Sequence, residues 1–454
     1  MKIVNELNMI RTSVKETVEK IKEGKIDIRS YNLEFIDRVK ALESNVKAWA
    51  YFNENIWLDQ CEEVSKDIDP AFSSLLGIPV GVKDIFNTAD MPTQMGSPIW
   101  KDFTPGNDAR VVHNIRYNRG IIAGKTVTAE FAVHAPNETR NPWNLEHSPG
   151  TSSSGSAAAV SCGMVPLALA TQTAGSIIRP ASYCGIYGFK PSFGTVPRTA
   201  MLKTTDSLDT IGFFATNPDD CRLLFDIIRV HGLDYPIVHQ NLTNIELQQK
   251  SGNSWKVGVV FDQHWTHKHS ATYAASALDS FVTELKRVAE VSSPSFEKIF
   301  NDSHSIQETI YHKALSYYFR KEFEKQTLIS PVMYEIVNEG RKITPSQYQD
   351  SLGLQQQLAA EVDRIFSGVD ILIALSTSAT APRYGTAIDP PDTCLIWTMC
   401  GLPVINIPLF MHEGLPFGLQ VISRKYTDYK LISFIKDMVE AGLFPEFSAI
   451  SDPQ

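Results

Sequence analysis

The stretch Ser148–Ile178, SPGTSSSGSAAAVSCGMVPLALATQTAGSII, contains no Lys, Arg, Asp, Glu or His. A membrane-spanning helix needs about 20 mostly apolar residues. This stretch does not provide them: Ser, Thr and Gly crowd its first positions, Pro166 interrupts it and TQTAGS follows. A segment that keeps charge out without being apolar is expected to lie buried beside other backbone, around something polar and specific. It reads as a Ser/Gly-rich loop over 148–156, a short helix on AAAVSCGM, a strand on VPLALAT, a tight turn at AGS and a helix after Pro180.

Toward the amino terminus, LLGIPVGVKDIF (Leu75–Phe86) reads as a buried strand bracketed by Gly77, Pro79 and Gly81, and Gly120–Ala123 as a second strand leading into GKTVTAEFA. Within residues 1–70, VKETVEKIKEG and YNLEFIDRVKALESNVKAW carry apolar positions three and four apart, the spacing of helices. From about 217 the texture becomes conventional βα alternation. WKVGVVF and ILIAL read as strands, ATYAASALDSFVTELKRVAE and TIYHKALSYYFRKEFEK as helices. Buried strands alternating with helices argue for an α/β fold whose sheet is covered on both faces. There is no internal repeat and no clear linker. One domain over 1–454 is therefore expected: a helical segment 1–70, a core 75–215, a more variable section 217–368 and a carboxyl-terminal core segment 370–430.

The chain has 454 residues, 43% hydrophobic and 20% charged, which excludes collagen-like, low-complexity and intrinsically disordered classes. Its 42 basic against 51 acidic residues give a net charge of −9 with no basic stripe, which argues against a dedicated nucleic-acid or anionic-membrane binder. Six scattered cysteines form no CxxC pair, and the amino terminus lacks the apolar core of a signal peptide. A reduced, cytoplasmic setting is the expectation.

Several candidate motifs dissolve on inspection. Gly120-Ile-Ile-Ala-Gly124-Lys125-Thr126 has three residues between its glycines where a phosphate loop has four, so Gly124 reads as a strand-end turn. His264, His267 and His269 are close enough in sequence to ligate a metal but read as a polar surface loop; no metal or other cofactor is expected. Ser44-Asn45-Val46-Lys47 fits a Ser-x-x-Lys pattern, but Lys47 in a charged helix would be solvated and protonated.

Three segments remain. Thr151-Ser152-Ser153-Ser154-Gly155-Ser156 precedes an Ala-rich helix; helix capping accounts for one or two of these hydroxyls, not all of them. Thr173-Ala174-Gly175-Ser176 ends an apolar strand in small residues whose backbone N–H groups would be open to an oxyanion, although a plain turn is the ordinary fate of AGS. Lys83 lies in an otherwise apolar strand beside Asp84. It is either paired with that aspartate or buried with its pKa pushed down until the neutral amine accepts a proton. Together, without His/Asp triad spacing, the three suggest a Ser/Lys hydrolase.

The same segments resemble the amidase signature family: GIPVGVKDIF (77–86), AGKTVTAEFA (123–132), TRNPWNLEHSPGTSSSGSAAAV (139–160) and PLALATQTAGSIIRPASYCGIYGFKPSFG (166–194), resuming as GLPVINIPLF and GLPFGLQVI. The resemblance implies a large central mixed β-sheet with helices on both faces and a Ser–cis-Ser–Lys triad. Ser176 falls on the nucleophile, Ser152 on the serine in the cis conformation, Lys83 on the base. The backbone N–H groups of Thr173, Ala174, Gly175 and Ser176 fall on the oxyanion hole, with Ser153 in support. Gln172 stands where the family commonly has aspartate, Thr151 and Ser154 where it has glycine, and Arg179 one position later than usual. The family's acyl-enzyme chemistry implies hydrolysis of a small-molecule carboxamide, with no nucleic acid bound directly, no membrane, and a homodimer compatible with the resemblance. The alternative within the family is a glutamine-hydrolysing A-type subunit of a tRNA-dependent amidotransferase, which needs a partner to handle the tRNA. A non-catalytic scaffold of the same fold is a third reading. Trp100, Tyr317, Tyr318, Phe319 and Trp397 are candidate acyl-pocket residues, each more readily assigned to the core.

Overall fold

The computed structural model describes residues 12–66, 73–261, 270–385 and 392–453. The histidines at 264, 267 and 269 lie outside them. The apolar runs become strands of one sheet. In chain order these are β1 (Trp49–Phe52), β2 (Pro79–Lys83), β3 (Ile121–Thr126), β4 (Leu167–Gln172), β5 (Tyr187–Lys190), β6 (Thr210–Ala215), β7 (Trp255–Val259), β8 (Ala289–Ser292), β9 (Ile371–Leu375), β10 (Val404–His412) and β11 (Leu415–Ser423). Their order across the sheet is β1-β3-β2-β4-β6-β5-β10-β11-β9-β7-β8.

Pairing is mixed. β2 runs parallel to β3 and β4, and β7 parallel to β8 and β9, while β4–β6, β5–β6, β5–β10, β10–β11 and β9–β11 are antiparallel. Every residue of β2, β3 and β4 is buried. Successive side chains of a strand point to opposite faces, so the sheet here is covered on both, which is why these strands read as continuous apolar runs. Among the described residues no helix is long and apolar enough to cross a membrane.

Two local readings are corrected by pairing. The helix expected to run through VAE ends at Leu285, and Ala289–Ser292 instead adds β8 to the edge of the sheet, in register with Trp255–Gly258. The ladder to β7 outweighs the helical character of its sequence. Gly124 is not a strand-end turn. It lies inside β3 with φ 155°, and a Cβ there would sit 2.6 Å from the Tyr51 carbonyl oxygen. Glycine lets β1 and β3 approach at this point. The Ser-x-x-Lys coincidence ends in Lys47, an exposed residue at the helix end that pairs with Glu138.

A second apolar cluster joins the middle of the chain to the core. Tyr311, Leu315 and Phe319 on the helix Ser303–Tyr318 and just beyond it pack with Met333 and Val337 of Pro331–Lys342 around Phe131. Phe131 is fully buried at φ 49°, and Glu130 accepts from the Ser330 N–H at 3.0 and 3.2 Å. The middle section is thus fastened to the loop that follows β3.

Candidate active site

The helix Ser154–Ser161 is buried along its whole length. Small residues permit this: a Cβ on Gly155 would lie 2.3 Å from the Val127 nitrogen and 2.4 Å from the Ala48 oxygen. The serines ahead of it do not behave as simple caps. Ser153, at the N-cap position, makes no side-chain capping bond. Its hydroxyl donates to the Thr171 carbonyl at 3.2 Å and accepts from Lys83 at 2.9 Å.

Lys83, the last residue of β2, is fully buried. Its Nζ reaches Ser152 Oγ at 2.6 Å, Ser153 Oγ at 2.9 Å and Thr171 Oγ1 at 2.9 Å. Asp84 is not its partner. The next residue of an extended chain faces the other way, and there Asp84 meets Lys125 of β3 at 3.1 Å, both buried. Lys83 therefore has three neutral hydroxyls around its nitrogen and, among the described residues, no carboxylate in contact. Burial pushes its pKa well below the ordinary lysine value, only partly opposed by the charge of Asp209. A lysine amine whose pKa is lowered by burial can serve as a base.

Alternation along β4 assigns the next roles. Thr171 faces Lys83, whereas Gln172 faces the opposite side, where its Oε1 accepts from the N–H groups of Ile177 and Ile178 at 2.7 and 2.9 Å. The neutral amide thus serves as the acceptor that an aspartate could have been. Thr173 Oγ1 donates to Asp209 at 2.8 Å. The Asp209 carboxylate is buried and also accepts from the backbone N–H and hydroxyl of both Thr204 and Thr205. In the turn itself, the N–H groups of Ala174, Gly175 and Ser176 donate to none of the described residues, and Ser176 is half-buried. Backbone donors left open in a turn of small residues are suited to an oxyanion.

One expectation fails in detail. All peptide bonds among the described residues are trans, including the one before Ser152, and no hydrogen bond joins Ser152 to Ser176. A cis non-proline bond costs about 3–4 kcal/mol, and the contacts here hold the loop without it. The Thr151 hydroxyl accepts from Arg179 at 3.1 Å, its carbonyl from Asn137 at 3.3 Å, and Ser154 Oγ from Asn137 at 2.8 Å.

A cavity of about 650 Å³ opens beside the turn, lined among others by His134, Thr151, Ala174, Arg179, Arg383 and Asp392. Arg179 and Asp392, both in its lining, form a two-pronged ion pair at 2.7 and 2.5 Å. None of the five aromatic candidates lines it: Trp397 and Phe319 are core, Tyr317 is exposed, Tyr318 donates to Asp206, and Trp100 packs on Phe103. Asp209, Asp392 and Thr398 were missed in the sequence. Only Asp209, an acid close to Thr204, Thr205 and Thr210, carried any local sign.

Residues 32–432 match the family model described as Amidase. The chain belongs to the amidase family. This amidase-family chain is 30% identical over 466 residues, 93% of its length and 94% of the relative's, to the A-type subunit of glutamyl-tRNA(Gln) amidotransferase from Lysinibacillus sphaericus. The solved structure of the Thermotoga maritima protein of that name superposes with a TM-score of 0.79 at 25% identity, covering 98% of each chain. Peptide amidase from Stenotrophomonas maltophilia shares the fold, with a TM-score of 0.80 at 22% identity over 97% and 98% of the two chains. The mixed sheet flanked by helices is thus the amidase signature fold, and the chain is an amidase-family hydrolase.

The expected partners are corrected by the same finding. A self-contained enzyme for small-molecule amides, free of nucleic acid and at most a homodimer, does not agree with relatives named as subunits of a glutamyl-tRNA(Gln) amidotransferase.

Proposed function

We propose that this chain is the amide-hydrolysing A-type subunit of a tRNA-dependent amidotransferase, releasing ammonia from glutamine through an acyl-enzyme on Ser176. The observation that carries the reading is the buried Lys83, whose nitrogen lies 2.6 Å from Ser152 Oγ and touches no carboxylate among the described residues, beside a turn whose N–H groups donate to none of them. Neutral Lys83 takes the Ser152 proton as Ser152 takes that of Ser176, and the Ser176 oxygen attacks the amide carbon. The turn amides receive the negative charge on the carbonyl oxygen; one such donor is typically worth about 10²–10³ in rate. The proton returns to nitrogen, ammonia leaves, and water releases glutamate from the ester. The path runs from Lys83 to Ser152 as the side chains stand, and Ser152 must close on Ser176 for the proton to pass.

The relatives' name supports the assembly part of the reading. The experiment is to express the tagged chain in its source cells, identify what co-purifies, and assay glutaminase activity with and without that partner. Partner-dependent release of ammonia from glutamine is the expected result. A chain that purifies alone and leaves glutamine intact under all conditions sinks the reading.

A further inference from the structure

Gln172 and Thr398 lie 226 residues apart in sequence and are joined in the fold by a 2.8 Å hydrogen bond. Its direction is set by what surrounds it. Gln172 Oε1 accepts from two backbone N–H groups, Ile177 and Ile178, so the other end of the amide is the NH₂ and must donate. Thr398 Oγ1 receives that bond, and its single proton is directed to the Ala174 carbonyl at 2.8 Å. Its other acceptor, the Cys394 carbonyl, is at 3.4 Å, and the Cys394 thiol reaches Ala174 only at 3.8 Å. The Ala174–Gly175 peptide is trans and planar, so its C=O and N–H point in opposite directions. Anchoring the Ala174 carbonyl on Thr398 therefore aims the Gly175 N–H the other way.

We infer that Gln172 and Thr398 form a one-way hydrogen-bond relay that aims the Gly175 N–H at the reacting carbonyl oxygen, making both of them positioning residues for the oxyanion hole. The inference rests on Ser176 being the nucleophile. A carboxylate at 172 would keep the cap on Ile177 and Ile178 but turn the second contact round. It would accept the Thr398 proton, because a charged acceptor outcompetes a carbonyl, and Ala174 would lose its anchor. The neutral amide at 172 and the hydroxyl at 398 are thus a matched pair, and changing one makes the other irrelevant.

The test is the rate of covalent labelling by a fluorophosphonate, which needs neither tRNA nor a partner protein and develops charge on an oxygen in the same place. The proteins are the wild type, Thr398→Val, Thr398→Ser, Gln172→Glu and the double variant Q172E/T398V, each with its thermal midpoint. Thr398→Val is expected to label at least about tenfold more slowly, given the 10²–10³ typical of a lost oxyanion donor. Thr398→Ser, which keeps the hydroxyl, should label within about twofold of wild type, and Q172E/T398V no more slowly than Gln172→Glu alone. If Thr398→Val does not fold, Gln172→Glu, with its unchanged shape, decides by itself. Wild-type labelling rates in Thr398→Val or Gln172→Glu overturn the relay, as does a Thr398→Ser as slow as the valine. A wild type that does not label at all overturns the assignment of Ser176 itself, which is a different result.

Discussion

The carboxylate of Asp392 rests against the α-carbon of Gly175, so close that a Cβ at 175 would stand 2.0 Å from Oδ1. The same carboxylate holds Arg179, whose backbone N–H bonds the Gly175 carbonyl at 2.9 Å and whose guanidinium reaches Thr151. One glycine thus lets an ion pair lie against both the serine loop and the turn that ends in Ser176. Gly175→Ala has to displace Asp392 or the turn. Overpacking of this kind costs about 1–3 kcal/mol, so chemical denaturation should show a loss in that range. Fluorophosphonate labelling of Ser176 should fall by about a hundredfold or more.

Ser176→Ala removes one half-buried hydroxyl that bonds none of the described residues. The protein is expected to melt within a degree or two of wild type while amide hydrolysis drops to background. Undiminished turnover by the folded variant would place the nucleophile elsewhere.

In the proposed mechanism Lys83 sets the pH dependence: its neutral form is the working one, and burial holds its pKa well below the ordinary 10.5. The rate therefore falls as pH drops through that lowered value, about tenfold per unit. Stability moves in the same direction. Between the lowered value and 10.5 the unfolded chain binds the proton that the folded one has released, so stability rises with pH across this window. Lys83→Met should abolish hydrolysis and flatten that rise, as read from urea denaturation at two pH values. A variant that retains most of its rate would show that the base lies elsewhere.

Lys125 and Asp84 form the buried pair behind the site, with Lys125 also held by Thr93 Oγ1 at 2.7 Å and the Pro92 carbonyl at 3.0 Å. Removing one partner of such a pair leaves a buried charge and costs about 3–5 kcal/mol. Lys125→Met is expected to lose that much in chemical denaturation, and adding Asp84→Asn to recover part of it. Equal stability of Lys125→Met and wild type would mean that the pair contributes nothing.

The parts legible in the sequence are those written in consecutive residues. The charge-free run Ser148–Ile178, the apolar flanks of Lys83 and the small residues of the Ala174–Ser176 turn place β2, β4, the buried helix and the turn close to where they stand. The misreadings were at places where a neighbour decides. Ala289–Ser292 looks helical until β7 offers it a ladder, and Gly124 looks like a turn until Tyr51 is seen pressed against it.

The sequence by itself set Lys83 in an apolar strand beside Asp84 and supplied an uncharged stretch rich in serine and threonine, but left open whether the amine pairs with that aspartate or lies buried. Which hydroxyls receive it, and that Asp84 serves Lys125 instead, was decided by the parallel register of β2 against β3 and β4. The links from Thr173 to Asp209 and from Gln172 to Thr398 likewise exist only after folding. Local patterns constrain backbone shape over a few residues, whereas a hydrogen bond needs two atoms within about 3 Å, and for partners so far apart in sequence only the assembled sheet brings them together.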